Sequence, residues 1–142
     1  MPPQLQSMEI QAFAEGFPVT LFHAGVTLIV LALGATLYAF LTPHREIALI
    51  RDGNSAAALS LGGVLVGLAL PLASSLSASV SPLEIGIWGV ATIGVQLLVF
   101  KIIDWFLHGL PQRIQDGEMS AALLLVGAKL ASALILAAAL AG

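Results

Sequence analysis

Lys129 lies within an otherwise apolar run, Ser120–Leu140, and is one of only five basic residues in the chain. At 1.5 Å per residue it sits about 14 Å from the start of that run, near the midplane of a hydrocarbon core roughly 30 Å thick. An ammonium at such a depth is costly and is a default candidate for function. Asp104, near the end of the preceding apolar run, is its natural partner. Side chains lean toward the N-terminus of their helix, so in two antiparallel spans Lys129 and Asp104 lean toward each other. Lys101, one turn from Asp104, and the amide of Gln96 extend the set to a candidate intramembrane polar network. Such a network would be either part of an ion or proton pathway or a pair that pins the bundle together. One cation and one acid form a slim relay, so the pinning role is the preferred reading.

A second set lies in the polar segments. His44 and His108 each precede an Asp-Gly pair, Asp52-Gly53 and Asp116-Gly117, at the same distance. Two imidazoles and two carboxylates on one face would form a pH-sensitive or metal-binding vestibule. The plainer account, which is preferred, is interfacial histidines and aspartates that cap helix amides and complement the macrodipole. No HExxH-type spacing supports a metal. The chain has no cysteine, no GxSxG elbow, no Walker A sequence and no paired membrane aspartates. The usual nucleophiles and phosphate cradles are therefore missing, and neither an enzyme activity nor a cofactor is expected.

Four apolar stretches must position these residues: about Pro18–Leu41, Ala56–Leu76, Leu83–Leu107 and Ser120–Leu140. Each is long enough to cross a bilayer as a helix, the form in which a segment satisfies its own backbone hydrogen bonds in lipid. Composition agrees, with 58% hydrophobic and 9% charged residues and a mean hydropathy of +1.01. That is more apolar surface than a soluble core of this size buries. A net charge of −3 with no basic run argues against nucleic acid as a partner. Gly63 and Gly67, and likewise Gly127 and Ala131, place small residues on one face of the second and fourth spans, suited to helix packing within the bundle or between subunits. Pro71 is expected to kink the second span and to free a carbonyl that Ser74, Ser75 or a neighbour satisfies.

Cations set the orientation. Arg45 and Arg51 lie between spans one and two and Arg113 between spans three and four, while the N-terminal stretch, the middle loop and the C-terminus carry none. Both long loops are expected in the cytoplasm and both termini outside. Phe17, Phe22 and Trp88 then fall at the outer interface, and Tyr38, Phe40, Trp105 and Phe106 at the inner one. Residues 1–17 read as a short outer-surface segment, either an interfacial helix carrying Ile10, Phe13, Ala14 and Phe17 or a frayed end.

Sliding the chain until Pro18 falls on Pro82 reveals an internal repeat. Gly25 then meets Gly89, His44 meets His108, Ile50 meets Ile114, Asp52-Gly53 meets Asp116-Gly117, Ala57-Ala58-Leu59 meets Ala121-Ala122-Leu123, and Gly63 meets Gly127. Residues 18–78 and 82–142 are thus expected to be two copies of one helical hairpin. Each copy holds two helices, so they share an orientation, and the expected fold is an all-α four-helix transmembrane bundle of two parallel-repeat hairpins with a pseudo-twofold axis along the membrane normal.

The run from Arg51 to Ala58, the segment Gly67-Leu68-Ala69-Leu70-Pro71-Leu72, Trp88-Gly89 and Ala121-Ala122 resemble the YjfL-like bacterial inner-membrane proteins, a domain-of-unknown-function family. The resemblance covers nearly the whole chain and implies a duplicated two-helix unit in the bacterial cytoplasmic membrane, with no catalytic residue to carry over. The second copy departs from the pattern, with Glu118 where the first has Asn54 and Ile135 where it has Pro71. The expected function is a non-enzymatic membrane component that forms homo-oligomers or binds another membrane protein within the lipid bilayer. The alternative is a subunit of a small-ion channel or transporter that uses the polar pair of spans three and four.

Overall fold

The computed structural model describes residues 2–42 and 46–142. Its elements are α1 (Pro3–Leu41), α2 (Glu46–Arg51), α3 (Ser55–Ala78), α4 (Pro82–Phe106), α5 (Leu110–Gln115) and α6 (Met119–Ala141), and no strand occurs among the described residues. Four of them, α1, α3, α4 and α6, are long and apolar enough to cross a membrane. The short helices α2 and α5 lie at one end of the bundle; the α3–α4 connection lies at the other.

The two central long helices, α3 and α4, have local reasons for where they start. Asn54 is the N-cap of α3 and its Oδ1 accepts from the Ala57 amide at 3.0 Å. Ser81 is the N-cap of α4, accepting from the Glu84 amide at 3.2 Å, with Pro82 in the first turn and the Glu84 carboxylate accepting from the Val80 amide at 3.1 Å. This is a capping box displaced by one residue. The turns before α3 and α6 need Gly53 at φ 91 and Gly117 at φ 84, a left-handed conformation that costs glycine little. Asp52 and Asp116 do not perform the capping role expected of them: both are exposed, and the N-cap positions fall two residues later, at Asn54 and Glu118. The glycine turn intervenes between each aspartate and the helix it precedes.

The N-terminal stretch also differs from expectation. It forms no separate surface helix, because α1 runs unbroken for 39 residues through Pro18. Proline removes one amide donor, and the exposed flank at this point lets the helix continue past it.

Packing centres on α3 against α6 and on α1 against α4. One apolar cluster joins Val30, Val64, Leu68, Leu72, Ile93, Leu97 and Phe100; another, nearer α2 and α5, joins Ala56, Ala57, Ile114, Ala121, Ala122 and Leu125. Gly63 lets α3 approach α6, and Gly67 lets it approach α4. A Cβ on Gly63 would lie 2.6 Å from the Val126 side chain, and one on Gly67 2.8 Å from the Phe100 ring. Gly127 and Ala131 are exposed, and a Cβ on Gly127 would meet nothing within 4 Å, so their face takes no part in packing within the chain. The chain passes through Pro71 without leaving the helix. Ser74 turns away from the carbonyl that Pro71 frees and donates to Ala137 O on α6 at 2.6 Å.

Candidate functional site: a buried lysine and its surroundings

Lys129 is 1% exposed, placed by α6 on the face that meets α3 and α4. Its Nζ lies 3.0 Å from Asp104 Oδ1, at an angle that makes the contact an ion pair and not an aligned hydrogen bond. The Asp104 side chain is 25% exposed, so the pair is dry at the lysine and open to solvent at the carboxylate. Two aromatic rings complete the lysine's shell: Tyr38 of α1 with its centroid 5.3 Å from Nζ, and Phe100 of α4 at 5.4 Å. Both contacts are within cation–π range, and a desolvated instance is worth about 2 kcal/mol.

Beyond Tyr38 the network continues along α1 and α2. The Tyr38 hydroxyl donates to Glu46 Oε1 at 3.2 Å, and the Ser60 hydroxyl of α3 reaches the same oxygen at 3.4 Å. Glu46 is buried. On the other side of the lysine, Ser132 donates to Lys129 O at 2.7 Å and accepts from Gln96 Nε2 at 3.2 Å. Gln96 is wholly buried, with its Oε1 receiving no hydrogen bond from the protein.

The structure therefore gathers Lys129, Asp104 and Gln96 around one α4–α6 contact. Lys101 is elsewhere: it is exposed and donates to Leu41 O at 2.7 Å, which places its charge at the C-terminal carbonyls of α1, where a cation complements the helix dipole. His44 lies outside the described residues, and His108, Asp52 and Asp116 are all exposed. Among the described residues no group of three or more His, Asp or Glu is arranged to hold a metal ion.

Sequence reasoning missed Tyr38, Glu46, Phe100 and Ser60. Tyr38 looked like an interfacial aromatic; the structure buries it, because its hydroxyl has Glu46 and its face has Lys129. The available signal was the spacing of Tyr38 and Glu46 across the turn. Ser60 gave none, since small hydroxyls are common in membrane helices. The other expected inner-belt aromatics, Phe40, Trp105 and Phe106, are highly exposed.

Four long apolar helices around a packed core, with exposed apolar side chains on the outside, define a multi-pass integral membrane protein. Within that class, residues 12–140 match the family described as Domain of Unknown Function (DUF350), and the chain belongs to it. It is 32% identical over 117 residues to the UPF0719 inner membrane protein YjfL of Escherichia coli strain K12, covering 82% of this chain and 87% of that protein. The YjfL of Escherichia coli O157:H7 is equally similar. No solved structure matches the chain.

Proposed function

We infer that the protein is a non-enzymatic component of the bacterial cytoplasmic membrane that works by assembling with copies of itself through the first part of α1. The observation that carries this reading is the uncovered N-terminal half of that helix: every described residue up to Phe22 is exposed, including Leu5, Met8, Ile10, Phe13 and Phe17. A 39-residue helix is about 58 Å long, and only the part from Pro18 onward matches the length of α4 in the repeat alignment. About 22 Å of helix thus extends past the other spans, more than lipid of a roughly 30 Å core covers.

Ile10, Phe13, Ala14 and Phe17 form one apolar stripe of that extension, with the Phe13 and Phe17 rings stacked at 4.9 Å, and Gln4, Ser7, Gln11 and Glu15 form a polar stripe beside it, with Gln11 donating to Glu15 at 3.1 Å. An exposed apolar stripe with no intrachain partner calls for one from outside. The exposed small-residue face of Gly127 and Ala131 offers a second close approach, inside the bilayer. This reading takes residues 18–78 and 82–142 as two copies of one hairpin, α2 and α5 as cytoplasmic and both termini as outside, as the cation distribution supports.

The natural absence of cysteine makes a direct test simple. With a single cysteine at Phe13→Cys, oxidation in native membranes is expected to give a dimer band, while Gln11→Cys on the polar stripe gives little. Phe13→Cys cross-linking to a different membrane protein would redirect the reading to a heterologous partner. A monomer in mild detergent at all concentrations, with no cross-link from either position, would end it.

A further inference from the structure

Polar groups of α3, α4 and α6 form a line between the two ends of the bundle. At one end Asp104 and Lys101 flank a cleft with about 10 Å³ of free space beside Tyr38 and Thr42. At the other, Glu84 and Trp88 flank a cleft of about 220 Å³ into which Ser75 and Ser79 also face. Glu84 and Asp104 are twenty residues apart on one helix, so the line spans about 30 Å, the thickness of a hydrocarbon core. Between them lie Lys129, Gln96 and Thr92, all buried, and Gln96 Oε1, Thr92 Oγ1 and Ser75 Oγ receive no hydrogen bond from the protein. A core kept only for packing would satisfy or omit such atoms, and buried polar atoms left without a protein partner are where ordered water binds. Apolar groups interrupt the line at two places. Phe100, on α4 between Gln96 and Asp104, holds its ring 5.4 Å from Lys129 Nζ. Between Thr92 and Ser75, Val30 and Leu72 close on Gly89, at 3.2 Å and 3.6 Å from where its Cβ would be.

We propose that this line is a gated proton path through a single chain, with the Asp104–Lys129 pair as its proton-exchange site and the Val30–Leu72 layer as its gate. The carried species is a proton because the cleft beside Asp104 has room for about one water molecule, too little for a hydrated ion. The buried ammonium also repels any other cation. In one transfer a proton from water adds to the Asp104 carboxylate; Lys129, freed of its counter-charge, swings past the Phe100 ring and releases a proton to water on the Gln96 side; the Asp104 carboxyl then returns its proton to the Lys129 amine, restoring the pair. One proton enters and one leaves. The groups that face Lys129 are Tyr38 from α1 and Asp104 and Phe100 from α4. Glu46 of α2 accepts from the Tyr38 hydroxyl, α3 offers the Ser60 hydroxyl to the same carboxylate, and Lys101 is turned to Leu41 O. The path does not depend on assembly through α1.

Two measurements test it. In the cysteine-free chain, Gln96→Cys is expected to react with a small water-borne thiosulfonate about tenfold faster than Leu68→Cys, which lies in the dry apolar cluster, because the reagent needs a hydrated thiolate. Equal rates would show the line to be dry and overturn the proposal. In sealed liposomes holding a potassium diffusion potential and an internal pH dye, Leu72→Ser is expected to raise proton flux about tenfold over the wild type by hydrating the apolar layer. Adding Gln96→Leu or Lys129→Met to Leu72→Ser is expected to return it to the wild-type rate. Flux indifferent to Gln96 and Lys129, or matched by sodium and potassium flux, would replace the proton path with nonspecific leakage. The Phe13→Cys cross-link reports on assembly separately, so the two readings fail independently.

Discussion

The α2–α3 and α5–α6 regions begin from the same plan and end with different chemistry. α2 and α5 have the same length and fall on each other when Pro18 is placed on Pro82, and Gly53 and Gly117 turn the chain in the same way, each donating to an isoleucine carbonyl, Ile50 or Ile114, at 2.9 Å. At the next residue they part. Asn54 caps α3 and also sends its Nδ2 to Ile114 O and Gln115 O, both at 3.0 Å, so one side chain holds the start of α3 to the end of α5. Glu118, at the matching place, makes no cap and instead pairs with Arg113 at an exposed site.

The same divergence sets the buried charge. Lys129 and Asp104 fall on Leu65 and Phe40, while Tyr38 and Glu46 fall on Ile102 and Leu110. Beside the matching apolar positions Phe40 and Leu65, an open groove of about 460 Å³ remains between α1, α2 and α3, lined also by Thr36, Glu46, Ile47 and Leu61. Beside Asp104, Tyr38 closes the space to about 10 Å³. Of the two places that fall on each other in the sequence, the one with the buried ion pair is the one with an aromatic lid and a counter-charge.

The contrast between the two halves is most exposed to test at that pair. Asp104→Leu leaves Lys129 buried without its carboxylate and is expected to cost about 3–5 kcal/mol, with most of it recovered by adding Lys129→Leu, which makes this place resemble its apolar counterpart. Denaturant unfolding of the purified protein in detergent measures both; a double variant no better than the single would show that the pair is held for its packing and not its charge. Next comes the packing face. Gly63→Ala drives a methyl into Val126 and is expected to cost about 1–3 kcal/mol, while Gly127→Ala at the matching position is expected to be neutral or slightly stabilising in the same unfolding experiment. Third, Asn54→Ala is expected to cost about 1–2 kcal/mol, through the lost cap and the lost tie to α5, against less than about 0.5 kcal/mol for Glu118→Ala. Hydrogen exchange at the first turns of α3 and α6 locates the two effects. The smallest change runs the other way: Glu118→Asn is expected to add a few tenths of a kcal/mol and to slow exchange at the start of α6 by supplying the missing cap.

Much of the architecture was legible in the chain. The start of α1 aside, the four apolar runs, the turn glycines and Ser81-Pro82 mark the long helices within a few residues of those observed, because length, burial in lipid and capping are local properties. The intramembrane position of Lys129 was legible for the same reason, and the lean of side chains toward the helix N-terminus indicated Asp104 as its neighbour. The length of α1 was not legible, since Pro18 reads as a boundary until the surroundings show that nothing there forces the chain to stop.

Crossing a membrane as helices and carrying one ionisable pair at depth are properties that the order of residues dictates without help, since hydropathy and helical rise are summed along the chain. Packing alone established that Tyr38 and Phe100 enclose the lysine, that Glu46 is buried beneath Tyr38, that Lys101 turns away to Leu41, and that Gly63 packs while Gly127 stays exposed. Those outcomes depend on which faces of distant helices meet, and apolar runs alike in hydropathy do not encode that choice locally.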